Sequence, residues 1–397
     1  MVMKKFTYIV SIFFLFTILL QGHFHLERDE SPEFTRGLYI NAYRAGDRKY
    51  MDKLLNNFGD LINTLVIDIK DSHGKLTYKS KLKIVKRVGS QRTLIKDINL
   101  YIKKLKDRGY HIIGRIVVFR DPILARYKSR KYAVKIAGTK QLWKDENGFV
   151  WVDPFCKEVW EYNIAIAEEA VKAGFDEIQF DYVRFPSSNS KQPQAYFPFK
   201  NKRKKEEAIL SFLSMANERL KREGIKISIA VFGYATWHNH LPREGQHLSE
   251  TGKRVDLIYP MLYPSHFADD FLANKHKEKR TYDIVFESIR RGDSILRYTD
   301  SKLIAYIQGF DWKRSRLGKD YIRVQMKAAE DAESHGWIVW NAKGEYEETY
   351  TSILDNAIKL LEPDNKPRIK ETLLTYTRHE DKFKKPDNRG IEAILHW

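Results

Sequence analysis

The chain has 397 residues, with 70 Lys and Arg against 52 Asp and Glu and a formal net charge of +18. That length holds one large α/β barrel or two ordinary domains, and the positive excess is spread along the whole chain, which favours attraction to acidic surfaces without marking a nucleic-acid arm. No helix-turn-helix, zinc-finger or RNP-like motif occurs, so nucleic acid is not an expected partner, and a lone cysteine, Cys156, excludes an internal disulfide.

The chain opens Met1-Val-Met-Lys-Lys5 and continues in an uncharged apolar run from Phe6 to Leu20. This is the layout of a secretory leader, so residues 1–26 read as a signal peptide or an N-terminal membrane anchor. The run falls short of the ~20 residues of a full span, which favours the leader. No Ala-x-Ala cleavage site follows it, which keeps the anchor open. Either way the expected location is outside the cytoplasm: periplasmic, extracellular, or held on the outer side of the inner membrane.

From Arg36 onward, short strand-like runs rich in β-branched and aromatic residues alternate with helical patterns, the signature of repeated βα units on a parallel sheet. Eight strands are predicted: Gly37 to Ala42, Thr64 to Ile69, His111 to Phe119, Glu177 to Tyr182, Lys226 to Phe232, Asp256 to Leu262, Lys302 to Ile307 and Gly336 to Asn341. The predicted fold is therefore α/β, a (β/α)8 TIM barrel over residues 36–362. Asp153-Pro154 reads as an N-cap followed by proline at the first helical position, with Val159, Asn163, Ile166 and Ala170 recurring at helical spacing until Gly174. Helix-to-strand turns are short. The connections after Phe119, Arg184, Phe232 and Tyr263 are long and crowded with aromatic residues, which builds a cleft on the C-terminal face. Residues 363–397 read as a polar tail, with one short helix from Ile369 to Tyr376.

Carboxylates converge on the same end of the predicted barrel. Asp181 ends strand four in Phe175-Asp-Glu-Ile-Gln-Phe-Asp-Tyr-Val-Arg-Phe-Pro186, with Arg184 close behind, whereas Asp176 and Glu177 open that strand and serve as a bland control. Asp68, Lys70 and Asp71 follow strand two, and Arg120 and Asp121 follow strand three. Asp311 follows strand seven, and Glu345 follows strand eight. Paired carboxylates suit glycosidic bond cleavage, one protonating the leaving oxygen while the other attacks the sugar or activates water. Asp181 is the expected nucleophile or base, with Arg184 favouring its charged form. Asp71 is the first choice of acid, ahead of Asp68, Asp311 and Glu345. Strand alternation forbids Asp68 and Asp71 from both pointing inward, so one of them belongs to a turn or cap.

Tyr39, Arg115, Trp237, Tyr259, Tyr263, His266, Trp312 and Trp340 join Asp311 and Glu345 as candidate sugar contacts. Taken singly, each aromatic residue fits core packing equally well, and only the cluster carries the inference. No metal or cofactor is expected. His238 and His240 alternate as ligands would, but no third ligand stands beside them in the sequence.

Arg36-Gly-Leu-Tyr-Ile, Leu65-Val-Ile-Asp-Ile-Lys-Asp-Ser-His-Gly74, Glu177 to Pro186 and Pro260-Met-Leu-Tyr-Pro-Ser-His266 together resemble the glycoside hydrolase family first catalogued as a domain of unknown function, DUF4015. The resemblance implies a barrel akin to the α-amylase and α-galactosidase group, exported, with a bacterial polysaccharide as substrate. It also implies a strand-four aspartate as nucleophile, which Asp181 matches. That group often places its acid at the end of strand five, where this chain reads Val231-Phe-Gly-Tyr-Ala-Thr236 without a carboxylate. The alternative expectation is a barrel that binds envelope glycan without cleaving it. A metal-dependent phosphodiesterase lacks a ligand cluster in the sequence.

Overall fold

The computed structural model describes residues 32–187, 192–272, 277–310, 317–318 and 320–360. The leader or anchor, the tail, Asp311 and Trp312 lie outside the described residues. Eight parallel strands close into a barrel: β1 Thr35–Ile40, β2 Thr64–Lys70, β3 His111–Val117, β4 Glu177–Asp181, β5 Lys226–Phe232, β6 Leu257–Met261, β7 Ala305–Gln308 and β8 Gly336–Trp340. Each strand pairs with its predecessor, and β8 returns to β1 through Thr35 opposite Gly336 and Leu38 opposite Val339. All eight predicted strands are present. Their ends match the sequence reading to within three residues, the largest difference being β7, which starts at Ala305 and not Lys302, because hydrophobic pattern reports burial and not where ladder bonds stop.

Helices between the strands cover the outside: α1 Arg48–Phe58, α2 Ile98–Lys106, α3 Lys157–Lys172, α4 Lys205–Lys221, α5 Leu248–Gly252, α6 Lys277–Leu296, α7 Asp320–Asp331 and α8 Glu347–Leu360. In α3 the predicted stripe of Val159, Asn163, Ile166 and Ala170 is fully buried. Removing a side chain such as Ile166 from water contributes roughly 1.5–3 kcal/mol. Asn163 joins that stripe by donating its Nδ2 to Val159 O at 2.9 Å. Gly174 ends the run at φ +101°, a value a β-carbon resists.

The start of α3 corrects the sequence reading. The helix begins at Lys157 with Cys156 at its N-cap, while Asp153 lies three residues earlier. There its carboxylate accepts from Phe155 N and, across the barrel mouth loops, from Phe199 N. Asp153 is thus a buried loop anchor, and burial raises its pKa to about 6.

Inward-facing side chains fill the barrel in layers. Val66, Ile113, Ala230, Leu257, Ile304 and Ile338 form its apolar part with Tyr39, Tyr259 and Tyr306. Glu177, the intended bland control, points into this interior and is 1% exposed. Ser228 Oγ donates to its Oε1, Tyr259 OH donates to Oε2 at 3.3 Å, and His111 Nε2 lies 3.4 Å away. One layer higher, Tyr306 OH donates to Gln179 Oε1 at 2.5 Å. Buried polar groups cost stability unless bonded, and most of these satisfy one another around the barrel axis, while Gln179 Nε2 is left without a partner among the described residues.

Candidate active site

At the C-terminal end of the barrel, β2, β3 and β4 lie side by side, with Asp68 opposite Arg115 on one ladder and Arg115 opposite Gln179 on the other. Asp181 lies two residues beyond Gln179, on the same face of β4. Arg115 therefore stands between two aspartates. Its Nη1 donates to Asp68 Oδ1 at 2.5 Å, and its Nε and Nη2 both donate to Asp181 Oδ2 at 2.9 and 2.6 Å. One rigid, planar guanidinium thus touches both carboxylates. Asp68, Arg115 and Asp181 are 4, 3 and 5% exposed, so they form the floor of the mouth.

The remaining bonds are equally local. Tyr39 OH donates to Asp68 Oδ2 at 2.6 Å, and Tyr182 N donates to Asp181 Oδ1 at 2.5 Å. Tyr182 sits at φ +53°, a left-handed position uncommon for a non-glycine residue, and such strain concentrates at functional sites. Trp340 of β8 stacks on Tyr39 with centroids 3.6 Å apart and planes 16° apart, and the Arg115 guanidinium lies 4.9 Å from the Trp340 ring. Burial pushes the Asp68 pKa up from its ordinary value, opposed in part by the charge of Arg115 and the bonds from Tyr39 and Arg115. The two carboxylates hold the Arg115 pKa well above its ordinary value, against the effect of burial.

Several sequence expectations change. Arg184 does not pair with Asp181; its guanidinium lies 4.8, 5.1 and 4.6 Å from the rings of Trp151, Tyr182 and Phe232, and its Nη1 donates to Phe185 O. The expected partnership rested on nearness in sequence, but a strand end turns successive side chains apart, and the partner comes from the neighbouring strand. Arg115, expected among sugar contacts, is that partner.

Asp71 is the turn residue. Its Oδ1 accepts from His73 N and Lys75 N, both at 2.9 Å, closing the loop in which Gly74 adopts φ +76°. A β-carbon on Gly74 would meet Asp121 Oδ1 at 2.1 Å. A register shift between Asp68 and Lys70 changes the phase of β2, so Lys70 leaves the barrel interior. It lies 2.8 Å from Asp121 Oδ2, bonds Val117 O at 2.6 Å and approaches the Tyr162 ring of α3.

Two aromatic candidates belong to the scaffold. Trp237 packs edge-on against Phe271 and donates its Nε1 to Ser288 of α6 at 2.7 Å, while Tyr259 is wholly buried beside Glu177. Tyr39, Tyr263 and Trp340 are at the mouth; His266 is exposed and meets the Tyr263 ring edge-on at 5.0 Å. Glu345 is exposed and gives its backbone carbonyl to Asn341 Nδ2. Arg120, a strand-end candidate without a specific role in the sequence reading, lies between Phe149 and Tyr182, 4.3 and 4.0 Å from their centroids. Its signal was its place just past β3. His238 stacks near Tyr234 and leaves His240 to pair with His247.

The family model for DUF4015, described as "Putative glycosyl hydrolase domain", matches residues 37–346, from β1 to the residue before α8. No curated protein matches the sequence. Among solved structures, the PgaB (BpsB) glycoside hydrolase domain from Bordetella bronchiseptica is 13% identical, covering 84% of this chain and 97% of its own, with a TM-score of 0.56. The endo-β-1,4-mannanase from Thermotoga petrophila is 11% identical over 85% of this chain and 78% of its own, with a TM-score of 0.52. A hypothetical protein from Ruminiclostridium thermocellum ATCC 27405 is 35% identical over 48% of this chain and 96% of its own, with a TM-score of 0.44. At their low identities the first two likenesses speak to the barrel fold.

Proposed function

The chain belongs to the DUF4015 glycosyl hydrolase-like family, and we propose that it hydrolyses glycosidic bonds in an extracellular or envelope polysaccharide, using Asp181 and Asp68. The observation that carries this reading is the single guanidinium of Arg115 touching both carboxylates. It gathers two carboxylates onto one group at the C-terminal end of the barrel, and a paired-acid mechanism starts from such a pair. Asp181 acts as nucleophile or base beside a fixed positive charge. Asp68, its pKa raised by burial, delivers the proton to the leaving oxygen; while it is protonated, the Tyr39 hydroxyl can accept from it. With Asp68 protonated the floor is neutral, and it turns net negative as the proton passes to the leaving oxygen, which suits the oxocarbenium-like character of the transition state. Trp340, half-buried and stacked on the buried Tyr39, supplies a ring for a sugar, and Tyr39 and Tyr263 back the floor. Arg120 and Arg184 make no ion pair with any described carboxylate, and they favour an acidic sugar at the rim.

The test compares reducing ends released by wild type and Asp181→Asn from a panel of acidic and neutral glycans. Release by wild type alone supports hydrolysis through Asp181. Equal release by both removes Asp181 from the chemistry. Glycan retention without release by either protein favours the binding barrel.

Export is part of this reading, supported by Lys4, Lys5 and the apolar run to Leu20. Among the described residues no helix is long and apolar enough to cross a membrane. N-terminal sequencing of the mature protein separates a removed leader from a retained anchor.

A further inference from the structure

We propose that Glu206, His240 and His247 form a zinc site distinct from the carboxylate floor. The three come from two elements of separate origin. His240 and His247 face each other across a two-stranded antiparallel ribbon in the β5–β6 connection, and Glu206 lies in the first turn of α4. One ligand atom from each falls within 4.8 Å of the others, and all three residues are half-buried. A tetrahedral zinc ion needs such a set of nitrogen and oxygen donors, with bonds of about 2.0–2.2 Å and water in the remaining position.

His240 offers an unused donor atom, and its contact with Glu206 would widen to about 3.3 Å for both to ligate one tetrahedral ion. His240 Nε2 is 2.5 Å from Glu206 Oε2, yet it is buried and makes no aligned hydrogen bond. The imidazole rings of His240 and His247 lie 4.9 Å apart at 25°, and a ligand atom of each falls within reach of the Glu206 carboxylate. A divalent ion would use this arrangement by accepting lone pairs from the two unprotonated imidazoles and the carboxylate, with any proton displaced from them leaving to solvent. Asn239, whose Oδ1 accepts from Ser249 N, fixes the entry to the ribbon.

The ion would act as a clamp. The same ribbon carries Glu244, whose backbone carbonyl accepts from Phe185 N and whose carboxylate accepts from Ser187 Oγ at 3.2 Å. Phe185 directly follows Arg184 at the rim. A zinc ion between the ribbon and α4 would therefore hold the wall of the mouth formed by the β4 and β5 connections.

The experiment uses untagged full-length protein stripped with chelator and titrated with Zn2+ by calorimetry, and with Co2+ by visible absorption as a probe of tetrahedral coordination. The expected result is a single tight site with intense cobalt bands, displaced by zinc. His240→Asn and His247→Asn should each weaken zinc binding by at least about 100-fold, since removing mere supporting partners of a ligand already costs 10–100-fold. Glu206→Gln should weaken it too, while His238→Asn should not. Thermal melts of each chelated variant establish that it folds. Binding no tighter in wild type than in the folded His240→Asn/His247→Asn double variant would overturn the proposal. So would a cobalt spectrum without tetrahedral bands. Neither outcome touches the hydrolytic reading, because Asp181→Asn should bind zinc as wild type does.

Discussion

Asp68 and Asp181 come from strands two places apart in the barrel and meet on one guanidinium, that of Arg115 on the strand between them. Each aspartate has one oxygen on Arg115 and the other on a separate donor, the Tyr39 hydroxyl or the Tyr182 amide. This relationship sets most of what the site should do when altered.

Asp181→Asn should lower kcat by about 10²–10⁴ with the fold intact, the range for a positioned group acting in the transition state. Asp68→Asn should fall in the same range. Because both serve one reaction, the double variant should be little worse than the poorer single variant. Steady-state kinetics on the best substrate of the panel, with melting curves alongside, decides this. Losses that multiply would mean the two carboxylates act independently.

Arg115→Met should be the most disruptive change in the floor. It leaves two buried aspartates facing each other without their cation, and breaking a buried pair from one side costs about 3–5 kcal/mol. Arg115→Lys keeps a charge but has no planar fork to span both carboxylates. Urea unfolding should place it between wild type and Arg115→Met, with activity lost in both variants. An Arg115→Lys protein with wild-type kinetics would show that the bridge is dispensable.

Burial raises the Asp68 pKa above the ordinary carboxylate value, and the sign of its pH effects follows. As an acid Asp68 must carry a proton, so kcat/KM should decline as pH rises through the raised value, and Asp68→Asn should lose that alkaline limb. Stability moves in the same direction. The folded state holds this proton more tightly than the unfolded chain, so the contribution is complete below about 4 and is lost as pH climbs through the folded-state pKa. Chemical denaturation across that window, wild type against Asp68→Asn, should show wild type losing ground as pH increases.

Arg120 and Arg184 rest on aromatic rings at the rim and hold no carboxylate among the described residues. Arg184→Gln should raise KM for galacturonate oligomers by roughly tenfold while KM for neutral oligomers stays put, and the preference should weaken only modestly in high salt because the half-buried charge is poorly screened. Equal changes for acidic and neutral substrates would assign Arg184 to packing alone.

Glu177 tests the opposite role. It lies below the floor and bonds Ser228 and Tyr259 inside the barrel, so Glu177→Gln should cost about 1–3 kcal/mol by leaving a buried partner unmet. Its kcat should be unchanged at temperatures where it is folded. A loss of kcat without a loss of stability would move Glu177 into the catalytic group.

The sequence alone determined the barrel, because strand and helix periods, glycine stops and long aromatic loops are local properties written residue by residue. It also placed Asp68, Asp181, Tyr39 and Trp340 at the mouth, since the C-terminal end of each strand can be read from its own hydrophobic run. Which side chains meet was decided only by tertiary structure. Arg115 becomes the bridge because the β2–β3 and β3–β4 registers set it between two aspartates, and pairing register has no signature within any one strand. The shift between Asp68 and Lys70 turns Lys70 outward to Asp121, while Asp71 closes the following turn, so two neighbouring acids take different roles. Glu206 and His247 were likewise out of reach of the sequence, because they join His240 only when a loop ribbon folds against a helix start.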